Sequence, residues 1–130
     1  MKPQQVTQDA FRAARRFLAK APGFCNLNGY CIEASVLMHK YLKKRGVGVR
    51  LVRYKTAVGG HWTIRTPEGE FDPTIGCWPN APRLARGAKC DTLYPVTDQS
   101  PHRRWKQTPV SETTAYSTVW TKDFDRKNGT

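Results

Sequence analysis

The sequence predicts an α+β domain in which N-terminal helices pack on a small antiparallel β-sheet. Three features predict it. Apolar side chains recur at Ala34, Leu37, Met38, Tyr41 and Leu42, the one-face spacing of an amphipathic helix. The run 47–54 is rich in β-branched residues after a break at Gly46, as a strand is. Two further short strands, 61–65 and 70–72, flank Thr66-Pro67-Glu68-Gly69, which has Pro and Gly where a type I turn takes them. A helix leading into a meander is an α+β arrangement.

A chain of 130 residues, 38% of them hydrophobic, supports one core and therefore one domain. Within 1–130 the reading places a covering helix in 1–23, the chemistry-bearing region in 24–76, and an irregular wrapping segment with a last strand in 77–130. No stretch is apolar enough to span a membrane, and Met1-Lys2-Pro3-Gln4-Gln5 leads into an Arg-rich helix rather than an apolar signal core. The expectation is a cytoplasmic protein, in the host cytoplasm if phage-encoded, with Cys25, Cys31, Cys77 and Cys90 reduced. No C-x-x-C pair occurs among them, and no cysteine–histidine spacing matches a zinc site, so neither metal nor cofactor is expected.

The net charge of +12 is unevenly placed. Residues 1–66 carry 13 Lys/Arg against Asp9 and Glu33, a balance of +11, whereas residues 67–130 carry 9 against 8 acids, a balance of +1. Such a half attracts polyanions: nucleic acid, or an acidic protein. No recognised nucleic-acid motif accompanies it.

Taken in order, Ala10, Phe11, Ala14, Phe17 and Leu18 are helically spaced, with Thr7 as the expected N-cap and Ala21-Pro22-Gly23 as the stop. A loop, 24–29, delivers the chain to the second helix. Cys31 falls one turn ahead of Ala34 on that helix's apolar stripe, and Gly46 stands at its left-handed C-cap. A thiol at a helix N-terminus meets unpaired N–H groups and the positive end of the dipole, both favouring thiolate. Residues 55–60 read as a turn, with Gly59-Gly60 freeing the backbone just before His61. Trp78, Leu84, Leu93 and Tyr94 are expected to pin the wrapping segment. The cluster Pro101–Lys106 reads as basic surface, Val110–Trp120 as a last strand or a helix opened by Ser111-Glu112, and the tail after Phe124 as frayed.

The chemistry lies in Cys31, His61 and Asp72. A thiol hydrolase needs a thiolate, an imidazole to hold and return the proton, and a group that orients the ring. Cys31 opens a helix, His61 opens a strand, and Asp72 ends the next one. Asn26 and Asn28, just before Cys31, are candidate oxyanion donors beside the Cys31 backbone N–H. The bland roles are packing for Cys31, a core position for His61, and turn formation for Asp72 and both asparagines. His39 is two turns along the Cys31 helix, and His102 sits in the basic loop, so neither is expected to serve as the base. The hairpin register stays open: one pairing sets His61 directly across from Asp72, and a bulge at Gly69 would turn Asp72 to the other face.

Gly29, Cys31, Ser35, Leu37, Leu42 and Gly46, then Gly60-His61-Trp62 and Asp72-Pro73-Thr74, together resemble the papain-like and transglutaminase-like cysteine enzyme superfamily. The likeness is nearest to small phage and bacterial members with a G-H-x-W…D-P-T segment, and it covers about residues 24–76. His61 is followed directly by Trp62, where many relatives have a residue between. The resemblance implies a nucleophile-bearing helix on an antiparallel sheet, Cys31 as nucleophile, His61 as base and acid, and Asp72 as the orienting group. Trp62 joins the substrate-binding candidates on the same basis. The implied activity is peptide or isopeptide cleavage, glutamine deamidation or amide transfer on a protein substrate. A non-catalytic basic binding protein, engaging nucleic acid or an acidic host protein, is the alternative.

Overall fold

In the computed structural model, which describes residues 4–128, helices α1 (Gln5–Leu18) and α2 (Cys31–Lys44) precede a meander of β1 (Arg50–Thr56), β2 (Gly59–Thr66) and β3 (Gly69–Asp72). A short helix α3 (Ala81–Leu84), strands β4 (Tyr94–Pro95) and β5 (Lys106–Thr108), and helices α4 (Glu112–Ser117) and α5 (Lys122–Asn128) complete the chain. Single 3-10 turns at Ile75–Cys77 and Pro101–Arg104 join them. The architecture is α+β, with one antiparallel sheet ordered β4-β3-β2-β1-β5.

Helix α2 is the centre of the fold. Ala34, Val36, Leu37, Met38 and Leu42 are all buried, more than the single stripe anticipated, because α1, the sheet, α4 and α5 all pack against it. Its C-terminus closes in a Schellman motif: Gly46 N–H bonds Lys43 O, Val47 N–H bonds Leu42 O, and Gly46 takes a φ of 78°. At the other end of the chain Phe124 is buried and meets Phe17 edge-on at 5.6 Å. The segment expected to fray is therefore held as α5 up to Asn128.

Both hairpins close by the same local device. In Thr56-Ala57-Val58-Gly59 and Thr66-Pro67-Glu68-Gly69 the threonine hydroxyl accepts from the N–H two residues on and donates to the glycine carbonyl. Both glycines hold positive φ, which other residues reach only with strain. The two strands thus run further into 55–60 than expected, leaving a two-residue turn. Pairing of Thr66 with Gly69 and Ile64 with Phe71 is neither register considered from the sequence. It sets Asp72 level with Thr63, so His61 and Asp72 are diagonal neighbours on one face.

The sheet's two faces differ in chemistry. Leu51, Ile64 and Phe71 join the α1/α2 core, while Tyr54, His61, Thr63, Glu70 and Asp72 project from the opposite face, where strand alternation puts them. That face is covered by the wrapping segment. Ile75, Ala85 and Tyr94 form a second small cluster there, with Trp78, Leu84, Val96 and Trp105 against it.

Three expectations are corrected and one left open is decided. Helix α1 begins at Gln5 with Gln4 as its cap, and Thr7 is buried inside it. Of the strand and the helix that the sequence allowed for 110–120, the helix forms: Ser111 caps α4, its hydroxyl accepting from Thr114 N–H, and the last strand is β5. Pro101 and His102 are buried rather than exposed. Cys77 and Cys90 are not free thiols but form a disulfide, leaving Cys25 and Cys31 as the free cysteines. Their segments cross where Gly76 meets the Lys89 backbone. Among the described residues no helix is long and apolar enough to cross a membrane.

A Cβ built on Gly76 would lie 2.0 Å from the Lys89 carbonyl oxygen, and backbone on both sides leaves it no room. Gly76→Ala is expected to destabilise the protein by about 1–3 kcal/mol. Urea unfolding monitored by circular dichroism checks this, with Gly23→Ala as the control for strain at an open glycine position.

Candidate active site

Asp72 lies at the end of β3 with no exposed surface. Its Oδ1 accepts from the backbone N–H groups of Thr74 and Ile75, each at 3.0 Å, so the Asp-Pro-Thr-Ile sequence caps the 3-10 turn that follows. Its Oδ2 accepts from two imidazoles: His61 Nε2 at 2.5 Å and His102 Nε2 at 2.7 Å. The turn-capping role and the ring-orienting role fall on different oxygens of one carboxylate. Four donors converge on it.

The charge consequences are mutual. Burial alone would raise Asp72, but the His61 charge and the hydrogen bonds from His102 and His61 outweigh it and hold the carboxyl well below its usual range. Burial alone would lower His61, but the charge and hydrogen bond of Asp72, then those of Cys31, lift it to about 10. With Nε2 committed to Asp72, Nδ1 is the ring nitrogen left for Cys31.

Cys31 is the first residue of α2 and is half-buried. Its thiol points along the start of β2, with Sγ 4.0 Å from Gly60 O. Cys31, Gly60 and His61 line one cleft of about 340 Å³, together with Asn28, Gly29, Val58, Trp78, Pro79 and Asn80. Gly29 holds a φ of 87°, so the loop reaches the cleft with no side chain at the turn. Gly60 carries none either; a Cβ there would press on the movable Arg53 guanidinium at 2.9 Å. Val58, at the β1–β2 tip, is 87% exposed and gives the cleft an apolar rim.

The structure therefore brings Cys31 and His61 to one cleft and sets Asp72 behind the ring. Asn28 lines the cleft as well. Asn26 makes a turn instead, its Oδ1 accepting from Asn28 N–H at 2.9 Å. Trp62 lies away from the cleft, on the sheet face that packs toward the helices, half-buried with Arg53 over its ring. His39 is buried within α2, its Nδ1 2.5 Å from the Tyr116 hydroxyl.

Sequence reasoning missed His102 and the cleft wall Trp78-Pro79-Asn80. His102 belongs to the 3-10 turn after Ser100, whose hydroxyl accepts from Thr97 N–H and meets Tyr94 OH at 2.8 Å. Its ring stacks on Tyr94 and has Tyr54 and Trp105 edge-on. Trp78 packs edge-on to His61 at 4.8 Å, a position given to it by the 3-10 turn that Asp72 caps. No local signal in the sequence links residues 72 and 102.

His61, Asp72 and His102 are also metal-ligating residue types, with their ligand atoms within 4.8 Å of one another. The N···O separations of 2.5 and 2.7 Å are those of charge-assisted hydrogen bonds. They are shorter than the roughly 3 Å between ligand atoms bound about 2.1 Å from a common ion. The group reads as a hydrogen-bonded cluster.

No family model matches the chain, and no curated protein or solved structure matches it.

The buried pair fixes a pH window for stability. Asp72, held low, contributes fully above its ordinary value and loses that contribution as pH falls toward its depressed one. His61, held high, contributes fully below its ordinary value and loses it as pH rises through about 10. Urea midpoints should therefore be highest between about pH 4 and 6.5, fall as acid approaches the depressed Asp72 value, and decline steadily as pH rises from about 6.5 through 10. Asp72→Ala, which strands the partners of a buried charge, should cost about 3–5 kcal/mol at neutral pH.

Proposed function

We propose that the chain is a cysteine-nucleophile hydrolase of the papain-like or transglutaminase-like type, acting on an amide of a protein substrate as peptidase, isopeptidase or glutamine deamidase. The observation that carries this reading is the shared cleft: a helix-tip thiol and a carboxylate-backed imidazole face the same space. Cys31 as thiolate attacks the carbonyl carbon while His61 is held as imidazolium by Asp72. The oxygen that becomes negative is met by the Cys31 backbone N–H and the Asn28 side chain. The C–N bond then breaks, His61 Nδ1 giving its proton to the departing nitrogen and leaving a thioester. Water attacks the thioester, His61 takes the water's proton, and the thiolate departs.

Gly29 and Gly60 flank Cys31 without side chains and leave room for a substrate beside the thiol. Val58, Trp78 and Pro79 offer apolar contact, and Asn28 and Asn80 offer amide groups suited to a peptide-like ligand. The basic surface favours an acidic or nucleic-acid-associated target. Among the described residues, every acidic side chain except Glu33 and Glu68 lies within ion-pair distance of a cation or imidazolium, which leaves many lysines and arginines uncompensated.

A chloroacetamide probe tests the reading, with Cys25 as the internal reference thiol. Cys31 is expected to label about a hundredfold faster than Cys25 at pH 7, with the advantage lost in His61→Ala, as read by peptide mass spectrometry. Equal labelling of the two cysteines would overturn the catalytic reading in favour of a basic binding module. That alternative predicts nucleic-acid affinity that falls steeply with salt and is indifferent to Cys31→Ala.

A further inference from the structure

His102 is the one buried ionisable side chain at the centre of this site that the proposed chemistry does not use. It has 3% of its surface exposed. Its Nε2 donates to the same Asp72 oxygen that receives His61, while its Nδ1 is buried with no hydrogen-bond partner. The ring therefore carries its hydrogen on Nε2. A histidine kept in an aromatic box with one nitrogen unpaired is an unfavourable way to fill space. Phenylalanine would fill the volume without that penalty, so the donor is what the position supplies.

We propose that His102 is a positioning residue for the Cys31–His61 pair, its Nε2–H fixing the plane of the Asp72 carboxylate and tempering the pull of Oδ2 on His61. Backbone donors from Thr74 and Ile75 anchor Oδ1, but these alone leave Oδ2 free to tilt toward or away from the His61 ring. A second donor on Oδ2, held by stacking on Tyr94 and by Trp105 and Tyr54, completes the restraint. It also withdraws electron density from the oxygen that stabilises imidazolium, which leaves His61 easier to deprotonate when it must give its proton to a leaving group. His102 touches neither Cys31 nor the cleft and acts only through Asp72.

The inference rests on the Cys31–His61–Asp72 reading, and the two fail separately. Loss of the Cys31 labelling advantage in the wild-type protein defeats the catalytic reading. The present proposal is tested by comparing His102→Gln, whose side-chain amide can still donate near Nε2, with His102→Phe, which keeps the aromatic volume and loses the donor. His102→Gln is expected to keep Cys31 labelling within about threefold of wild type, and His102→Phe to lower it about tenfold. The His61 titration midpoint, followed by imidazole NMR, is expected to move upward in His102→Phe and to be restored in His102→Gln. If His102→Phe matches wild type in both readouts, the ring only fills space and the proposal fails. Should His102→Phe not fold, the wild-type spectrum decides: two slowly exchanging imidazole Nε2–H signals support the shared acceptor. A single such signal, or both protons replaced by a stoichiometric bound metal, overturns it.

Discussion

The constraint on which the site depends is the burial of one negative charge. An isolated carboxylate in a protein interior is prohibitively unfavourable and persists only when paired and hydrogen-bonded. Asp72 meets that demand with donors from three parts of the chain: its own turn, β2, and the distant Ser100–His102 corner. Each brings something with it. The turn carries Trp78 toward the cleft, β2 carries Gly60 and His61, and the corner carries the aromatic box. The geometry available to Cys31 is set by what a buried carboxylate requires of its surroundings.

A second acid uses the same solution one register step away. Glu70 accepts from Tyr54 OH at 2.6 Å and Thr63 Oγ1 at 2.7 Å through one oxygen, and from Arg65 through the other. Glu70 and Asp72 alternate with Phe71, which turns into the helical core. Strand β3 is thus apolar on one side and anionic on the other. This explains why the sheet needs both a helical layer and a wrapping segment: neither face is left to water. The aromatic side chains of that segment, Trp78, Tyr94 and Trp105, exclude solvent around His61 and His102, which strengthens the ion pair they enclose.

Much of this was legible because it is local. The α1 and α2 stripes, the Gly46 terminator and the Thr66–Gly69 turn are short-range patterns, whereas whether Asp72 shares a face with His61 hung on a hairpin register that the sequence left open. What was not legible is long-range. His102 sits in a run, Pro101–Lys106, whose charges suggest surface, and only the tertiary position of Ser100 and Tyr94 turns its ring inward. The Cys77–Cys90 pairing depends on a close crossing at Gly76 that no spacing rule encodes. The stretch after Val110 has β-favouring residues, yet the Ser111 cap and the burial of Ala115 and Phe124 against the first helices decide for α4 and α5. Tertiary packing overrode a weak propensity there.

What Cys31 needs differs from what the fold needs. Both oxygens of Asp72 find their partners in its own turn and the two imidazoles, without the thiol. Besides its interaction with the His61 ring, the Cys31 side chain makes a long contact, 4.0 Å, to Gly60 O. His39 is held inside the protein, its Nδ1 against the Tyr116 hydroxyl. His61 lines a cleft in which, among the described residues, Cys31 is the other ionisable wall residue. Burial of Asp72 thus fixes the His61 ring, and that fixed ring is what the cleft presents beside Cys31.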